Sequence, residues 1–404
     1  MPERFLPYGR QSIDEADIEA VVEVLRGDML TTGPTVGAFE EAFAEVTGAP
    51  HAVSCANGTA ALHLAALALG LGVGDTVIVP AVTFLATANA ARYVGAEVAF
   101  ADVDPETGLL TPGTLRDALD AVEAQGGTAA AVFPVHLNGQ CCDMPAIARI
   151  ARDHDLSVVE DACHALGGAQ HEDAPVGATR WSDMATFSFH PVKTIACGEG
   201  GMVTTADAGL AERLARFRNH GIVREADRFE TAHLAYGAGG EANPWYYEMP
   251  EFGFNYRLSD IHAALGLSQL AKLRDFAGVR SRLVASYDAA LVEFAPMVRP
   301  VKRVPGQCPA WHLYAVLCDF AAIGRTRGQV MTELRARGIG TQVHYLPVAH
   351  QPYYRRRYGT QFLPGADAYY AKALSLPLFA TMMDNDVLRV VASLGELLLD
   401  QSGS

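Results

Sequence analysis

Three short stretches of the chain hold residues able to do chemistry. In Phe187-Ser188-Phe189-His190-Pro191-Val192-Lys193 an apolar run delivers a lysine into a short turn, and Gly198-Glu199-Gly200-Gly201 follows. Most lysines are solvated surface charges. A lysine set among Phe187, Phe189, Pro191 and Val192 is instead a candidate for a partly desolvated amine, one that loses its proton and attacks a carbonyl to form a Schiff base. In Val158-Val159-Glu160-Asp161-Ala162-Cys163-His164 a hydrophobic strand runs into acidic residues. Ligands of open α/β sheets bind at the carboxyl ends of strands, so Asp161 could pair with a cationic ring nitrogen. A helix-capping aspartate is the plainer alternative. In Asn57-Gly58-Thr59-Ala60-Ala61-Leu62 a small-residue turn opens onto a helix. Free N–H groups and the helix dipole there suit a phosphate, with the Thr59 hydroxyl as a further donor, although an ordinary N-cap has the same look.

Bringing these residues together requires strands that end side by side. The runs Thr76–Val79, Glu97–Ala101, Ala130–Val135, Ser157–Glu160, Met184–Phe189 and Gly201–Thr204 read as strands. Thr59–Leu69, Phe84–Tyr93, Thr114–Ala124 and Met144–His154 read as helices. Such alternation predicts an α/β fold, a mostly parallel central sheet flanked by helices on both faces. Val77-Ile78-Val79 is apolar at successive positions, which suits burial on both sides. Upstream, Ser12 and Glu15 suggest a capping box for a helix through Ile18, Val21, Val22 and Leu25 that ends near Gly27. Leu30–Pro34 reads as a loop, and a second helix carries Phe39, Phe43 and Val46. Between Gly221 and Gly253, glycines and Pro244 surround the cluster Trp245-Tyr246-Tyr247, which predicts a long loop. A helix from Ser259 leads into a smaller C-terminal α/β domain. The expected division is a large domain over residues 10–258 and a small one over 259–404 that also takes residues 1–9.

The 404 residues suffice for two cores. Half are hydrophobic and 19% are charged, the balance of a soluble globular chain. The formal net charge of −15, without any basic run, argues against nucleic acid. Apolar stretches such as Ala60–Leu71 are too short to span a bilayer, and the start MPERFLPYGR lacks the apolar centre of a signal peptide. No membrane partner and a cytoplasmic location are therefore expected. The seven cysteines, Cys55, Cys141, Cys142, Cys163, Cys197, Cys308 and Cys318, form no C-x-x-C pair, so neither a disulfide framework nor a metal cage is predicted. No G-x-G-x-x-G or P-loop pattern occurs. A phosphate turn, a strand-end aspartate and a downstream lysine are the parts a pyridoxal 5′-phosphate (PLP) site requires.

Each motif is weak alone; their order is specific. The stretches LTTGP, NGTAALHLA, PAVTFLATANA, VVEDACHALGG, FSFHPVKTIACGEGGMV, RNHG, FNYRLSDIHAALGLSQL and QVHYLPV run from residue 30 to 347. The chain resembles the DegT/DnrJ/EryC1/StrS family of sugar aminotransferases, within the fold-type I PLP enzymes. FHPVKTIACGEGG, WYYE and GFNYRLSDIHAALGLSQL most resemble the branch that serves the pseudaminic acid pathway, whose product is UDP-4-amino-4,6-dideoxy-N-acetyl-β-L-altrosamine. The resemblance implies that Lys193 holds PLP as a Schiff base and, once displaced, moves the proton. It implies that Asp161 pairs with the pyridine nitrogen and His164 with the phenolic oxygen, where a satisfied buried histidine is the alternative. Phe84 would stack on the ring, unless it is a core residue. Gly58, Thr59 and Ser188 would take the phosphate, and Asn255 would reach the phosphate of a neighbouring subunit, which implies a homodimer with shared active sites. Thr31, His344 and Tyr345 would line the sugar site, and the Trp245–Tyr247 loop would either cover a nucleotide-sugar or pack on its own domain.

The implied reaction passes an amino group from L-glutamate, released as 2-oxoglutarate, to the keto carbon of a nucleotide-linked 4-keto-6-deoxy sugar in ping-pong order. A cyclitol or another ketone is an alternative acceptor, and a non-catalytic PLP-binding sensor an alternative function. Such a sensor would carry a basic DNA-binding extension, absent here. A cysteine desulfurase would need a reactive cysteine, but Cys197 lies on the wrong motif. A metal hydrolase on Cys163, His164 and His344 fits no zinc spacing. Some relatives are sugar dehydratases with histidine in place of the lysine, so Lys193 favours transamination.

Overall fold

The computed structural model describes residues 4–399; residues 1–3 and 400–404, including Ser402-Gly403-Ser404, lie outside the described residues. Seven strands form one sheet: β1 His51–Cys55, β2 Thr76–Pro80, β3 Glu97–Ala101, β4 Ala129–Val132, β5 Ser157–Asp161, β6 Met184–Ser188 and β7 Gly201–Thr205. Their order is β1-β7-β6-β5-β4-β2-β3. β7 is antiparallel to both of its neighbours, and every other pair is parallel. The carboxyl ends of β1, β2, β4, β5 and β6 therefore converge on one side, where ligands of such sheets bind.

α1 Glu15–Arg26 and α2 Pro34–Thr47 precede the sheet, α3 Gly58–Ala68, α4 Leu85–Tyr93, α5 Pro112–Ala124 and α6 Met144–Asp153 return the chain between strands, and α7 Ala208–Phe217 follows β7. α3 is apolar on nearly all sides and is buried accordingly. Val77, Ile78 and Val79 are fully buried, as a strand covered on both faces requires.

The first helix departs from expectation at its start. Its N-cap is Asp14, not Ser12. The Asp14 carboxylate accepts from the Asp17 N–H, and the Asp17 carboxylate accepts from the Asp14 N–H. Glu15 sits at the first helical position, too early to reach back, whereas Asp17 stands at the third. Segment 221–253 holds more local structure than a plain loop. It contains the helical turn α8 Ala232–Ala235 and the bridges Val223–Glu248 and Tyr236–Ala242.

Beyond it, α9 Asp260–Ala271 is capped by the Ser259 hydroxyl, which accepts from the His262 N–H. Leu258, Ala263 and Leu270 share a core with Phe39, Phe43 and Phe187. The long helix α10 Leu273–Ala290 then reaches a second sheet of β8 Val298–Pro300, β9 Tyr314–Cys318 and β10 Ala373–Leu376. This sheet is antiparallel, in the order β10-β9-β8. Its core gathers Leu283, Tyr287, Val316, Leu374 and Leu394. Leu6, near the start of the chain, also packs there, and it pairs with Ile339. No helix among the described residues is long and apolar enough to cross a membrane.

Candidate active site

A cavity of about 640 Å³ opens at the carboxyl ends of the large sheet. Gly58, Thr59, Phe84, Asp161, His164, Ser188, Lys193, His344 and Tyr345 all line it. Thr31 and Asn255 do not. Both are exposed: Thr31, in the loop between α1 and α2, bridges Ser259, and Asn255, on the stretch that leads to α9, bridges Asn219.

The anion-binding end is built by α3. Asn57 is its N-cap; its side chain accepts from the Ala60 N–H at 2.9 Å, and its carbonyl accepts from the Ala61 N–H at 3.0 Å. The N–H groups of Gly58 and Thr59, at the first two helical positions, remain for an anion. Glycine is needed here for close approach. A Cβ on Gly58 would lie 2.6 Å from the Ser188 Cβ, and one on Gly201 would press into the Asn57 carbonyl. Gly58→Ala is therefore expected to push α3 away from Ser188 and weaken PLP retention about tenfold or more, since overpacking costs ~1–3 kcal/mol. Cofactor absorbance retained after dialysis measures this. Full retention would show that the phosphate sits elsewhere.

Asp161 ends β5 and is buried. The Thr83 and Thr87 hydroxyls are 2.8 Å apart, and Thr87 donates to Asp161 Oδ2 at 2.6 Å. The Cys163 N–H donates to Asp161 Oδ1 at 3.3 Å. Both oxygens thus accept, and the carboxylate is fixed in place. On the opposite face of β5, Glu160 Oε2 is paired with His136 Nε2 at 2.6 Å, both fully buried.

Lys193 follows β6 in a turn closed by its own N–H donating to the His190 carbonyl at 2.8 Å. Burial holds its amine below the ordinary lysine range, while Cys163 and Asp161 nearby work in the opposite direction. Such an amine is free of its proton at a lower pH than a surface lysine. Cys163 and Cys197 are poor nucleophiles by the same physics, because burial pushes both thiols up.

His164 Nδ1 accepts from the Asn138 N–H at 3.4 Å, so the proton of the neutral ring sits on Nε2, 3.2 Å from the Tyr345 hydroxyl. His344 Nδ1 lies 2.8 Å from the Ser375 hydroxyl. Phe84 is the N-cap of α4 and is 55% exposed, so it is not a core residue, and its ring tilts toward Tyr345 at 6.1 Å between centroids. Trp245 is 72% exposed, whereas Tyr246 packs on Phe229 at 4.9 Å and donates to Glu248 at 2.7 Å. Sequence reasoning missed Thr87, His312 and Tyr8. Thr87 had a usable signal, a hydroxyl one helical turn from Thr83 in an alanine-rich helix. Tyr8 and His312 reach the cavity from distant segments and had none.

Burial pushes His63 down to about 4 and His344 down to about 3, and it drives His164 and His312 the same way. An imidazole depressed in the folded state binds more protons when unfolded. Its contribution to stability is present above the ordinary value near 6.5 and is lost as pH falls toward the folded value. His136, whose proton affinity its partner Glu160 raises, works in the opposite direction, and most of its slope lies above pH 6.5. The Tm of the apoprotein should fall steeply from pH 6.5 to 4, as stability drops by as much as ~1.4 kcal/mol per pH unit per imidazole. A flat Tm would show that these rings are not held neutral.

Fold and site together define a fold-type I, PLP-dependent aminotransferase. The chain belongs to the DegT/DnrJ/EryC1/StrS aminotransferase family, whose model matches residues 11–395. It is 38% identical over 397 residues to the spore coat polysaccharide biosynthesis protein SpsC of Bacillus subtilis (strain 168), covering 98% of this chain and 97% of that protein. Helicobacter pylori PseC, an aminotransferase of pseudaminic acid biosynthesis, superimposes with a TM-score of 0.87 at 27% identity, over 98% of this chain and 99% of that one. DesI, solved in the presence of its TDP-sugar product, gives 0.83 at 32% identity, over 98% and 94%.

Proposed function

We propose that this aminotransferase binds PLP on Lys193 and moves an amino group from L-glutamate to the keto carbon of a nucleotide-linked 4-keto-6-deoxy sugar. The observation that carries this reading is the meeting, in one cavity, of a desolvated Lys193 amine, a fixed Asp161 carboxylate and the free N–H groups of Gly58 and Thr59. These residues fit the cofactor: the turn that a Cβ would fill suits its phosphate, with Ser188 alongside, and Asp161 suits a ring nitrogen. When bound, PLP supplies a carbonyl that links to amines and a ring that accepts the electrons released when the donor carbon loses its proton.

The chain's own groups do the rest. Lys193 Nζ would take the proton from the donor carbon and pass it on to the cofactor. Asp161, fixed by Thr87 and the Cys163 N–H, would favour a positive charge on a ring nitrogen beside it. His164 Nε2–H is available to an oxygen acceptor, and Phe84 offers an open ring face for stacking. His344 and Tyr345 form the wall toward the sugar.

Spore coat polysaccharide synthesis, pseudaminic acid synthesis and a TDP-sugar product among the relatives support a nucleotide-sugar acceptor. We further propose a two-fold dimer. Thr31, Asn255, Trp245 and Tyr247 are all exposed, which leaves them available to complete the site of a second subunit. A two-domain organisation accompanies it, with the passage between the cores lying along α10. The test is a panel of UDP-, dTDP- and GDP-linked 4-keto-6-deoxyhexoses and a cyclitol ketone, each with L-glutamate, scored for 2-oxoglutarate. Release with a nucleotide sugar is expected. Release with the cyclitol ketone alone would overturn the acceptor assignment.

A further inference from the structure

His312 lines the same cavity yet plays no part in the roles above. It is 3% exposed, its N–H donates to the Asn138 carbonyl at 3.1 Å, and its ring centroid lies 4.5 Å from that of His164. Its Nδ1 has no hydrogen-bond partner among the described residues. With Nδ1 enclosed and unpaired, the neutral ring carries its proton on Nε2. The titratable groups that face His312 are His164, Lys193, Arg280 and His344, none of them acidic.

Arg280, from α10, stands behind it. This guanidinium is 1% exposed and, among the described residues, donates only to two backbone carbonyls, of Trp311 at 3.5 Å and of Lys193 at 3.4 Å. Among the described residues its Nε is unpaired and no carboxylate opposes the burial that lowers its proton affinity. A buried cation without an anion is costly. The chain has 46 acidic residues against 31 basic ones, so acidic partners are plentiful and one is missing at this point. Asp161 is already engaged by Thr87 and Cys163. Arg280 does not itself line the cavity but His312 does, so an anion entering with a ligand would meet this cation through His312.

Chemistry selects which anion. The cofactor phosphate has its own seat at Gly58, Thr59 and Ser188. A nucleotide sugar carries its diphosphate at the ring end opposite C4, far from the reacting carbon. An α-amino acid carries its carboxylate on the very carbon whose proton Lys193 removes. We propose that His312, backed by Arg280, receives the α-carboxylate of the amino donor, an assignment that rests on the transaminase reading above. A ping-pong enzyme must admit a charged amino acid and then an uncharged ketone ring to the same space. A neutral imidazole with a cation behind it does both: it donates a charge-assisted hydrogen bond to the carboxylate, and it leaves no bare charge against the sugar.

The test follows the two half-reactions of the PLP-loaded enzyme separately by absorbance, one against L-glutamate and one against the keto sugar. His312→Phe is expected to raise the half-saturating glutamate concentration about 10- to 100-fold, the range for a lost hydrogen bond to a charged group. The keto-sugar constant should move far less, and the resting spectrum and borohydride capture on Lys193 should persist. His312→Gln, which keeps an N–H donor, should recover part of the glutamate affinity. Arg280→Met should shift the glutamate constant in the same direction, with Tm reporting its fold, so the assignment stays testable if one variant is unstable. Equal loss in both half-reactions overturns the assignment. So does an unchanged glutamate constant with an altered resting spectrum, which would give His312 to the cofactor. Failure of borohydride capture in the unmutated enzyme would overturn the transaminase reading and this assignment with it, whereas capture without donor selectivity overturns the assignment alone.

Discussion

Lys193→Ala is expected to reduce transamination by at least ~10²–10⁴-fold, the usual contribution of a positioned base. It also removes the covalent hold on PLP, so borohydride should no longer fix the cofactor to the chain, as mass analysis of the 184–201 region would show. The fold should survive. The amine is held half-buried in a desolvating setting, as its depressed proton affinity records, and removing it relieves that cost. The apoprotein Tm should therefore stay near that of the parent. Appreciable retained turnover would mean that another group moves the proton.

Asp161→Asn should have the next largest effect. The amide keeps nearly the same shape, so the contacts from Thr87 and the Cys163 N–H are mostly preserved and stability falls by only ~1 kcal/mol. What disappears is the negative charge that favours a protonated ring nitrogen. Loss of one fixed electrostatic partner in a water-poor site typically costs ~10²–10³ in rate. A single-turnover measurement with glutamate should show that slowing, with PLP still bound. Parent-like turnover would remove Asp161 from the electron-sink role. Thr87→Val is informative beside it: the charge stays but loses its 2.6 Å donor, so a smaller loss of the same kind points to orientation.

Most of the large sheet was legible because its strands are apolar at successive positions and its helices carry clear periodicity. Glu97–Ala101 agrees end to end, and Met184–Phe189 is long by one residue. β1 escaped notice because His51-Ala52-Val53-Ser54-Cys55 is short and partly polar; it is a strand because β7 pairs with it from far along the chain. The antiparallel sense of β7 is likewise tertiary information. Asp14 replaced Ser12 as the cap because two aspartates at the right spacing cap each other. At the site, motif residues on strand ends were readable since each strand end and its turn are local. Tyr8 and His312 were not, because what brings them to the cavity is the packing of the second sheet and the N-terminal segment. Thr31 and Asn255 lie outside this cavity.

β1 is the end strand of the large sheet, paired on one side only, and the Gly58–Thr59 turn grows directly from it. End strands open at lower free energy than central ones. Anchoring a phosphate at that turn and closing the sheet edge are then one equilibrium. The amides of His51–Cys55 should exchange with deuterium quickly in the apoprotein and slowly in the loaded enzyme, while those of β4 and β5 stay protected in both. Cofactor saturation would then be recorded in the exchange clock of five backbone amides.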